Sequence, residues 1–254
     1  MTTKQYYVMK WLAMIFMLID HIASAFHEVF NWDTGFYLFC RTIGRLAFPL
    51  FCFMLVESFY FTENRMEHLK KIAMLALISE VPFDLALRGE IIATSSQNVC
   101  VTLALGFIML EAIDYFTPRI YEYVRTDVIV KRFAIPVFNI LVLFAFGFAA
   151  SVLSTDYGFS GIFLIWGLNA AIFANRTNIW RAVVIAIFIC MRLDVMYVIC
   201  FIDLSIIYIL TRKSDSLDKI KFLETITSKK AKAICSTFYP VHLTVIAVLR
   251  AIFA

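Results

Sequence analysis

Long apolar stretches recur along this chain from one end to the other. Several of them run for about 17 to 25 residues, the length that an α-helix needs to cross a bilayer. Hydrophobic residues make up 62% of the 254 residues and charged residues only 17%, which is far from the composition of a soluble domain. The apolar segments lie near residues 9–30, 37–61, 69–88, 98–116, 133–153, 159–174, 180–191, 193–210 and 234–253.

These segments predict an all-α fold, a polytopic transmembrane bundle of about nine helices, with eight to ten as the range. An outer-membrane barrel would instead show short segments of alternating hydrophobicity. Continuous runs rich in Phe, with 26 Phe residues against 8 Gly, favour helices. We therefore expect residues 1–254 to form a single membrane domain.

The distribution of basic residues predicts the orientation of the bundle. Of the 23 Lys and Arg residues, 18 lie in the N-terminal segment and in every second loop after it. Basic loops are retained on the cytoplasmic side of a membrane. The N-terminus is therefore predicted to be cytoplasmic, and the last helix is predicted to end outside.

One stretch, residues 180–210, is short for two crossings and long for one. Charge favours two short spans, because a single span would place the basic segment at 211–233 outside the cell. The polar run at 191–194 offers a point of reversal. We predict two spans here, followed by a basic cytoplasmic loop at 211–233.

The cysteines and the net charge argue against several other classes of protein. The six cysteines lie mostly inside apolar segments without the spacing of metal ligands, so we predict free thiols and no metal site. The net charge of +4 is explained by the cytoplasmic loops, so no nucleic-acid partner is predicted.

The first apolar segment carries a polar stripe at membrane depth. Asp20, Ser24 and His27 share one face of a helix, with His21 and Glu28 beside it. An ionisable group in a bilayer needs a partner, a water-filled cavity or a function. A buried neutral imidazole can remove a proton from an amine or a hydroxyl. His21 is therefore a candidate general base, and the alternative is a histidine that merely bridges helices.

Charged residues on the second and third segments form further candidates. Arg41 and Arg45 lie one helical turn apart and suit a phosphate or a carboxylate. Glu80 and Asp84 also share one helix face, next to Pro82, which removes a backbone hydrogen bond. The alternatives are ion pairs between these arginines and acids, or simple helix-end signals.

Three more polar residues lie at the ends of later segments. Asn98 precedes the fourth segment, Asp156 lies in an outer loop beside Tyr157, and His242 follows Pro240 in the last segment. Asp156 could meet an arginine, and His242 is a second candidate active-site histidine.

Taken in order, six motifs of this chain resemble the TraX family. They are LIDHI at 18–22, RTIGRLAFPLF at 41–51, ISEVPFDLA at 78–86, QNVCVTLALG at 97–106, DYGFSG at 156–161 and FYPVHL at 238–243. The resemblance covers nearly the whole chain and implies a bacterial inner-membrane acetyltransferase of the kind that acetylates the amino terminus of F-type pilin. It also implies that the site around His21 is lined by Asp20, Arg41, Arg45, Glu80, Asp84, Asn98 and His242.

The resemblance implies the partners as well. Residues 1–254 would be a single transmembrane acyltransferase domain in the bacterial plasma (inner) membrane. Acetyl-CoA would be the co-substrate and no metal would take part. The acceptor would be an amine or hydroxyl of a peptide, a pilin or a cell-surface glycan.

Other mechanisms and other classes remain open at this stage. The acetyl group could pass directly to the acceptor or through an acetyl-histidine. Buried acids, arginines and histidines also build proton relays, so a proton-coupled transporter or flippase is the alternative function. A non-enzymatic scaffold would leave so many charges at membrane depth unexplained.

Overall fold

The structure is a computed structural model that describes residues 1–93, 95–123, 128–173, 178–212, 225 and 227–253. These residues form ten α-helices and one 3-10 helix, with no β-strand among them. In chain order they are α1 (Thr3–Phe26), α2 (Thr34–Gly44), α3 (Ala47–Phe61), α4 (Arg65–Arg88), α5 (Val99–Tyr123), α6 (Val128–Val152), α7 (Gly158–Phe173), α8 (Asn178–Arg192), the 3-10 helix (Val195–Cys200), α9 (Phe201–Arg212) and α10 (Lys229–Phe253). The predicted all-α bundle is confirmed.

Five stretches of the described helices are long and apolar enough to cross a membrane. They are Thr3–Phe26, Thr34–Phe61, Val99–Tyr123, Phe133–Val152 and Lys229–Phe253. Helix α6 shows the clearest lipid-facing surface, since Phe144 and Phe148 are both exposed along it. The protein is therefore a membrane protein.

The apolar segment predicted at 37–61 is present but is interrupted once, between α2 and α3. Helix α2 ends at Gly44, and the backbone N–H of Leu46 donates to Ile43 three residues back, in a tighter turn. Pro49 then falls in the first turn of α3, where an N–H group has no helical partner to lose. The break places Arg45 at a junction instead of inside a regular helix.

Residues 180–210 contain two separate helices, in keeping with the predicted reversal, and the crossing of the membrane by both stays a prediction. Helix α8 ends at Arg192, Leu193 adopts a positive φ of 50°, and a 3-10 helix that leads into α9 begins at Val195. The Asp194 side chain accepts a hydrogen bond from the N–H of Met196 and so caps the new helix. Most of the predicted basic loop at 211–233 lies outside the described residues.

Helices α1, α4 and α10 run in the same direction. Lys232, near the start of α10, lies 5.3 Å from the centroid of Tyr7, near the start of α1. Arg250, near the end of α10, donates to the carbonyl of Ala86 near the end of α4 at 3.1 Å. This arrangement brings the last turns of α1 beside the middle of α10. The cytoplasmic position of the N-terminus stays a prediction.

The apolar core lies where α1, α3, α5, α7 and α8 meet. Phe53, Phe107 and Phe188 are fully buried there, one each from α3, α5 and α8. Helices α5 and α7 approach closely at Gly106, because glycine has no Cβ and a Cβ there would overlap Ile165. A second apolar cluster packs α1 against α4 and α10, the helices that carry much of the candidate site.

Candidate active site

A cavity of about 240 Å³ lies at the C-terminal ends of α1 and α4. We call it the histidine cavity. Its lining includes five of the residues predicted from the sequence, namely Asp20, His21, Arg41, Arg45 and Asp156, together with Arg88 and Tyr157. The fold therefore brings together polar residues from α1, α2, α4 and the loop between α6 and α7.

The two candidate histidines are in direct contact. Nδ1 of His21 lies 2.8 Å from Nε2 of His242, and the two ring planes are nearly parallel, with an angle of 8° between them. His21 is 8% exposed and His242 is 6% exposed. A pair of imidazoles from α1 and α10 thus lies buried beside the cavity.

The neighbours of His242 determine which nitrogen carries each proton. Its Nδ1 lies 2.7 Å from the carbonyl oxygen of Phe238, and a carbonyl can only accept. In the neutral ring, Nδ1 of His242 therefore carries the proton, and its Nε2 accepts from Nδ1 of His21. This leaves Nε2 of His21 with a free lone pair.

Aromatic packing holds the His242 ring in this orientation. The Phe238 ring is parallel to it, with centroids 4.6 Å apart, and the Tyr239 ring packs at an angle, with centroids 5.6 Å apart. Helix α10 supplies both contacts, since Phe238 and His242 are four residues apart and share a helix face. His242 is thus fixed relative to its own helix before it meets His21.

Asp20 and Arg41 form an ion pair across α1 and α2. Oδ2 of Asp20 lies 2.6 Å from Nη1 of Arg41, and both side chains are largely buried. The approach depends on Gly44, because a Cβ there would overlap the Asp20 side chain. The pair lines the cavity next to His21.

Arg45, which lines the cavity, and Arg192, which contacts the lining residue Tyr157, both lie against aromatic rings. The Arg45 guanidinium is 4.9 Å from the centroid of Tyr197. The Arg192 guanidinium is 5.1 Å from the same ring and 5.2 Å from the Tyr157 ring. Cation–π contacts therefore hold both arginines in place.

Asp156 is presented by the loop between α6 and α7. The backbone N–H of Asp156 donates to the carbonyl of Gln97, and the N–H of Gln97 donates to Ser154, which ties this loop to the residue before Asn98. Desolvation by the surrounding protein raises the pKa of the Asp156 carboxyl, while the positive charges of Arg192 and Arg45 act in the opposite direction.

Glu80, Asp84 and Asn98, also predicted as site residues, lie at the junction of α4 and α5 and are not among the cavity-lining residues. The Asn98 side chain donates to the carbonyl of Ala76 and to Glu80, and it accepts from the N–H of Cys100. Asp84 accepts from the N–H of Ala93 at 2.7 Å. These three side chains cap and join helices.

A second cavity, of about 340 Å³, lies toward the N-terminal ends of α1, α4 and α10. We call it the lysine cavity because Lys10 and Lys71 line it. Both cavities are lined by Met17, Phe51 and Val99, so these three side chains form a wall that the cavities share. His68 and Ser58, which bond to each other at 3.3 Å, also lie in this cavity.

Sequence reasoning missed several of these residues. Arg192 was interpreted only as part of a polar reversal point, and Tyr157 only as part of a turn. Tyr197 and His68 were not predicted as site residues. A usable signal existed for Tyr157, which adjoins Asp156, whereas nothing in the sequence places Arg192 beside Arg45.

No metal-binding arrangement is apparent in the part of the chain that the structure describes, since no three His, Cys, Asp or Glu residues there converge. The six cysteines are free thiols.

The amino-acid sequence of this chain is similar to those of known proteins. The model of a family described as TraX protein matches residues 5–250. A protein of Dichelobacter nodosus described as "Probable fimbrial assembly protein FimC, serogroup H1" is 27% identical over 172 residues, which is 65% of this chain. The match spans 58% of the length of that relative. No solved structure matches this chain.

Proposed function

This chain belongs to the TraX family, and from that premise we propose that it transfers an acetyl group from acetyl-CoA to an amine or a hydroxyl, with His21 as the general base. The acceptor is a peptide, a pilin or a cell-surface glycan, and the enzyme works in the bacterial inner membrane. The fimbrial assembly description of the Dichelobacter nodosus relative supports a pilin-like acceptor.

The contact between His21 and His242 is the observation that carries this proposal. A chain of hydrogen bonds runs from the carbonyl of Phe238 through His242 to Nδ1 of His21. It orients the His21 ring and leaves Nε2 able to accept a proton. A neutral imidazole in this state is the group that acyl transfer to an amine or hydroxyl requires.

The reaction needs only groups that the chain supplies and the two substrates. Nε2 of His21 removes a proton as the acceptor nitrogen or oxygen attacks the thioester carbonyl. Collapse of the tetrahedral intermediate breaks the carbon–sulfur bond, and the thiolate of CoA takes the proton from the imidazolium. Arg41, which lines the cavity beside His21, stabilises the oxyanion formed in between.

The lysine cavity supplies a route for the donor. It lies at the opposite helix ends from the histidine cavity, and Lys10 and Lys71 offer positive charge to the phosphates of acetyl-CoA. Its apolar interior meets the histidine cavity at Met17, Phe51 and Val99. By the predicted orientation this cavity faces the cytoplasm, where acetyl-CoA is made.

The test is acetyl transfer by purified protein in proteoliposomes with labelled acetyl-CoA and a peptide or glycan extract. Wild type should release CoA and label the extract, and His21→Ala should abolish both. His27→Ala is the matched control, because His27 directly follows the same helix but stacks on Tyr37 and is not among the cavity-lining residues. Equal transfer by wild type and His21→Ala would refute the proposal.

A second candidate is a proton-coupled transporter or flippase. The observation that favours it is the pair of cavities at opposite helix ends, separated by one shared wall. Proton or solute flux into the same proteoliposomes, without CoA release, would support transport. CoA release without flux would support the transferase.

A further inference from the structure

Two arginines lie at the histidine cavity without a close ion pair: Arg45 is one of the lining residues, and Arg192 packs against the lining residue Tyr157. Among the described residues, no carboxylate lies within ion-pair distance of the Arg45 or the Arg192 guanidinium, whereas Arg41 is paired with Asp20. The Nε atoms of both arginines are buried and have no hydrogen-bond partner in the described part of the chain. A buried N–H group without a hydrogen-bond partner destabilises the fold, so a ligand that accepts a hydrogen bond from either side chain would be stabilised there.

The charges around the cavity do not balance. Arg41 and Asp20 cancel one another, and Asp156 offsets one further arginine. Arg45 and Arg88 line the cavity, and Arg192 lies against its lining residue Tyr157, so three positive charges stand against that single carboxylate. A cavity at membrane depth with excess positive charge is stabilised by an anionic ligand.

The geometry of the two arginines is that of a built site. Tyr197 lies between them, with its ring centroid 4.9 Å from the Arg45 guanidinium and 5.1 Å from that of Arg192. Phe48 stacks on Tyr157 with centroids 3.4 Å apart, and the Arg192 guanidinium lies 5.2 Å from the centroid of the same Tyr157 ring. Both guanidiniums are thus held before any ligand arrives, which lowers the entropic cost of binding.

We propose that Arg45 and Arg192 bind an oxyanion group of the acceptor, a carboxylate or a phosphate, while the nucleophile of the same acceptor lies at His21. This inference rests on the proposed function, because only that function makes the bound molecule the acceptor. Guanidiniums favour carboxylates and phosphates because they donate two parallel hydrogen bonds. The acceptor therefore carries a negatively charged group as well as the amine or hydroxyl that is acetylated.

Calorimetric titration of the purified protein in detergent with inorganic phosphate, and separately with acetate, tests the site without any turnover. Wild type should bind at least one of the two anions, and the tighter one identifies the group. Arg192→Gln and Arg45→Gln should each weaken binding by about tenfold or more. Arg192→Lys should weaken it less, because it keeps the charge.

Arg119→Gln is the matched control. Arg119 also lies over a tyrosine ring, Tyr115, with its guanidinium 3.4 Å from the centroid, but it is exposed and away from the cavity lining. Its substitution should leave anion binding unchanged. Binding that is insensitive to Arg45 and Arg192, or that falls equally in the control, would overturn the proposal. Thermal unfolding of each variant shows whether it is folded.

A kinetic experiment assigns the anion to the acceptor. In the proteoliposome assay, the tighter anion should compete with the acceptor extract and leave the KM for acetyl-CoA unchanged. Competition with acetyl-CoA would overturn the assignment to the acceptor. Anion binding without acetyl transfer would refute the transferase alone, and transfer without anion binding would refute this inference alone.

Discussion

The histidine cavity and the junction of α4 and α5 contain the same types of residue, yet they differ in how those residues are satisfied. At the junction, Glu80, Asp84 and Asn98 each bond to backbone or to one another, although Oε1 of Glu80 and Oδ1 of Asp84 have no hydrogen-bond partner in the described part of the chain. At the cavity, the Nε atoms of Arg45 and of the adjacent Arg192 are buried without a hydrogen-bond partner among the described residues, and neither guanidinium forms a close ion pair there. The sequence presents both regions as charged groups at membrane depth.

The difference shows that burial and charge alone do not identify a site in a membrane protein. A buried polar group whose bonding capacity is filled by its own chain stabilises the fold. A buried polar group that faces a cavity with capacity left over is available to a ligand. Substitutions at the junction should therefore affect stability, and substitutions in the cavity should affect activity.

The largest effect is expected at His21. His21→Gln keeps a polar side chain but removes the base, so acetyl transfer should fall by about 10²- to 10⁴-fold. The thermal unfolding midpoint in detergent should stay close to that of wild type, because one amide can still bond to His242. A large loss of stability with retained transfer would place His21 among the structural residues.

The second-largest effect, on stability, is expected at the junction of α4 and α5. Asn98→Ala removes a fully buried side chain that bonds to Ala76, Glu80 and Cys100, and it leaves those partners unsatisfied. The free energy of unfolding should fall by about 2 to 3 kcal/mol. Acetyl transfer per folded molecule should be retained, as measured by the proteoliposome assay after removal of aggregates. Loss of transfer at unchanged stability would contradict the comparison.

A smaller effect on activity is expected at His242, which acts through His21. His242→Ala should lower acetyl transfer by about 10- to 100-fold, since the His21 ring loses the acceptor that orients it. His242→Gln can still accept from Nδ1 of His21 through its amide oxygen and should restore part of the rate. Equal rates for the two variants would exclude an orienting role.

The smallest effect should occur at Arg88, which belongs to both regions. Arg88 lines the cavity and also donates to Ser95 and Ser96 of the junction. Because this side chain is partly exposed, Arg88→Gln should lower the free energy of unfolding by only about 1 kcal/mol and transfer by a few-fold. A selective loss of transfer would extend the site to Arg88.

Much of the fold was predictable from the sequence. Apolar runs of membrane-spanning length located the helices, and the charge of the segment after residue 210 favoured the reversal near Leu193 that the structure shows. The break at Arg45 was not predicted, because hydropathy continues across it. Only the tighter turn before Pro49 marks it.

The candidate site was predicted in part. Asp20, His21, Arg41, Arg45 and Asp156 do line one cavity, but Glu80, Asp84 and Asn98 do not. The periodicity of polar residues shows which residues share a face of one helix, but it does not show which helices are neighbours. The contact between His21 and His242 joins residues 221 positions apart, and it depends on α1 and α10 running in parallel.

The wall formed by Met17, Phe51 and Val99 has an electrical consequence. Where two cavities reach inward from opposite ends of the same helices, the voltage across an energised membrane falls mainly over the thin apolar layer between them. Each elementary charge that crosses such a layer changes in energy by about 2.3 kcal/mol per 100 mV. A proton that crosses this layer on its way from the acceptor to the thiolate of CoA would make the rate of the enzyme depend on membrane potential.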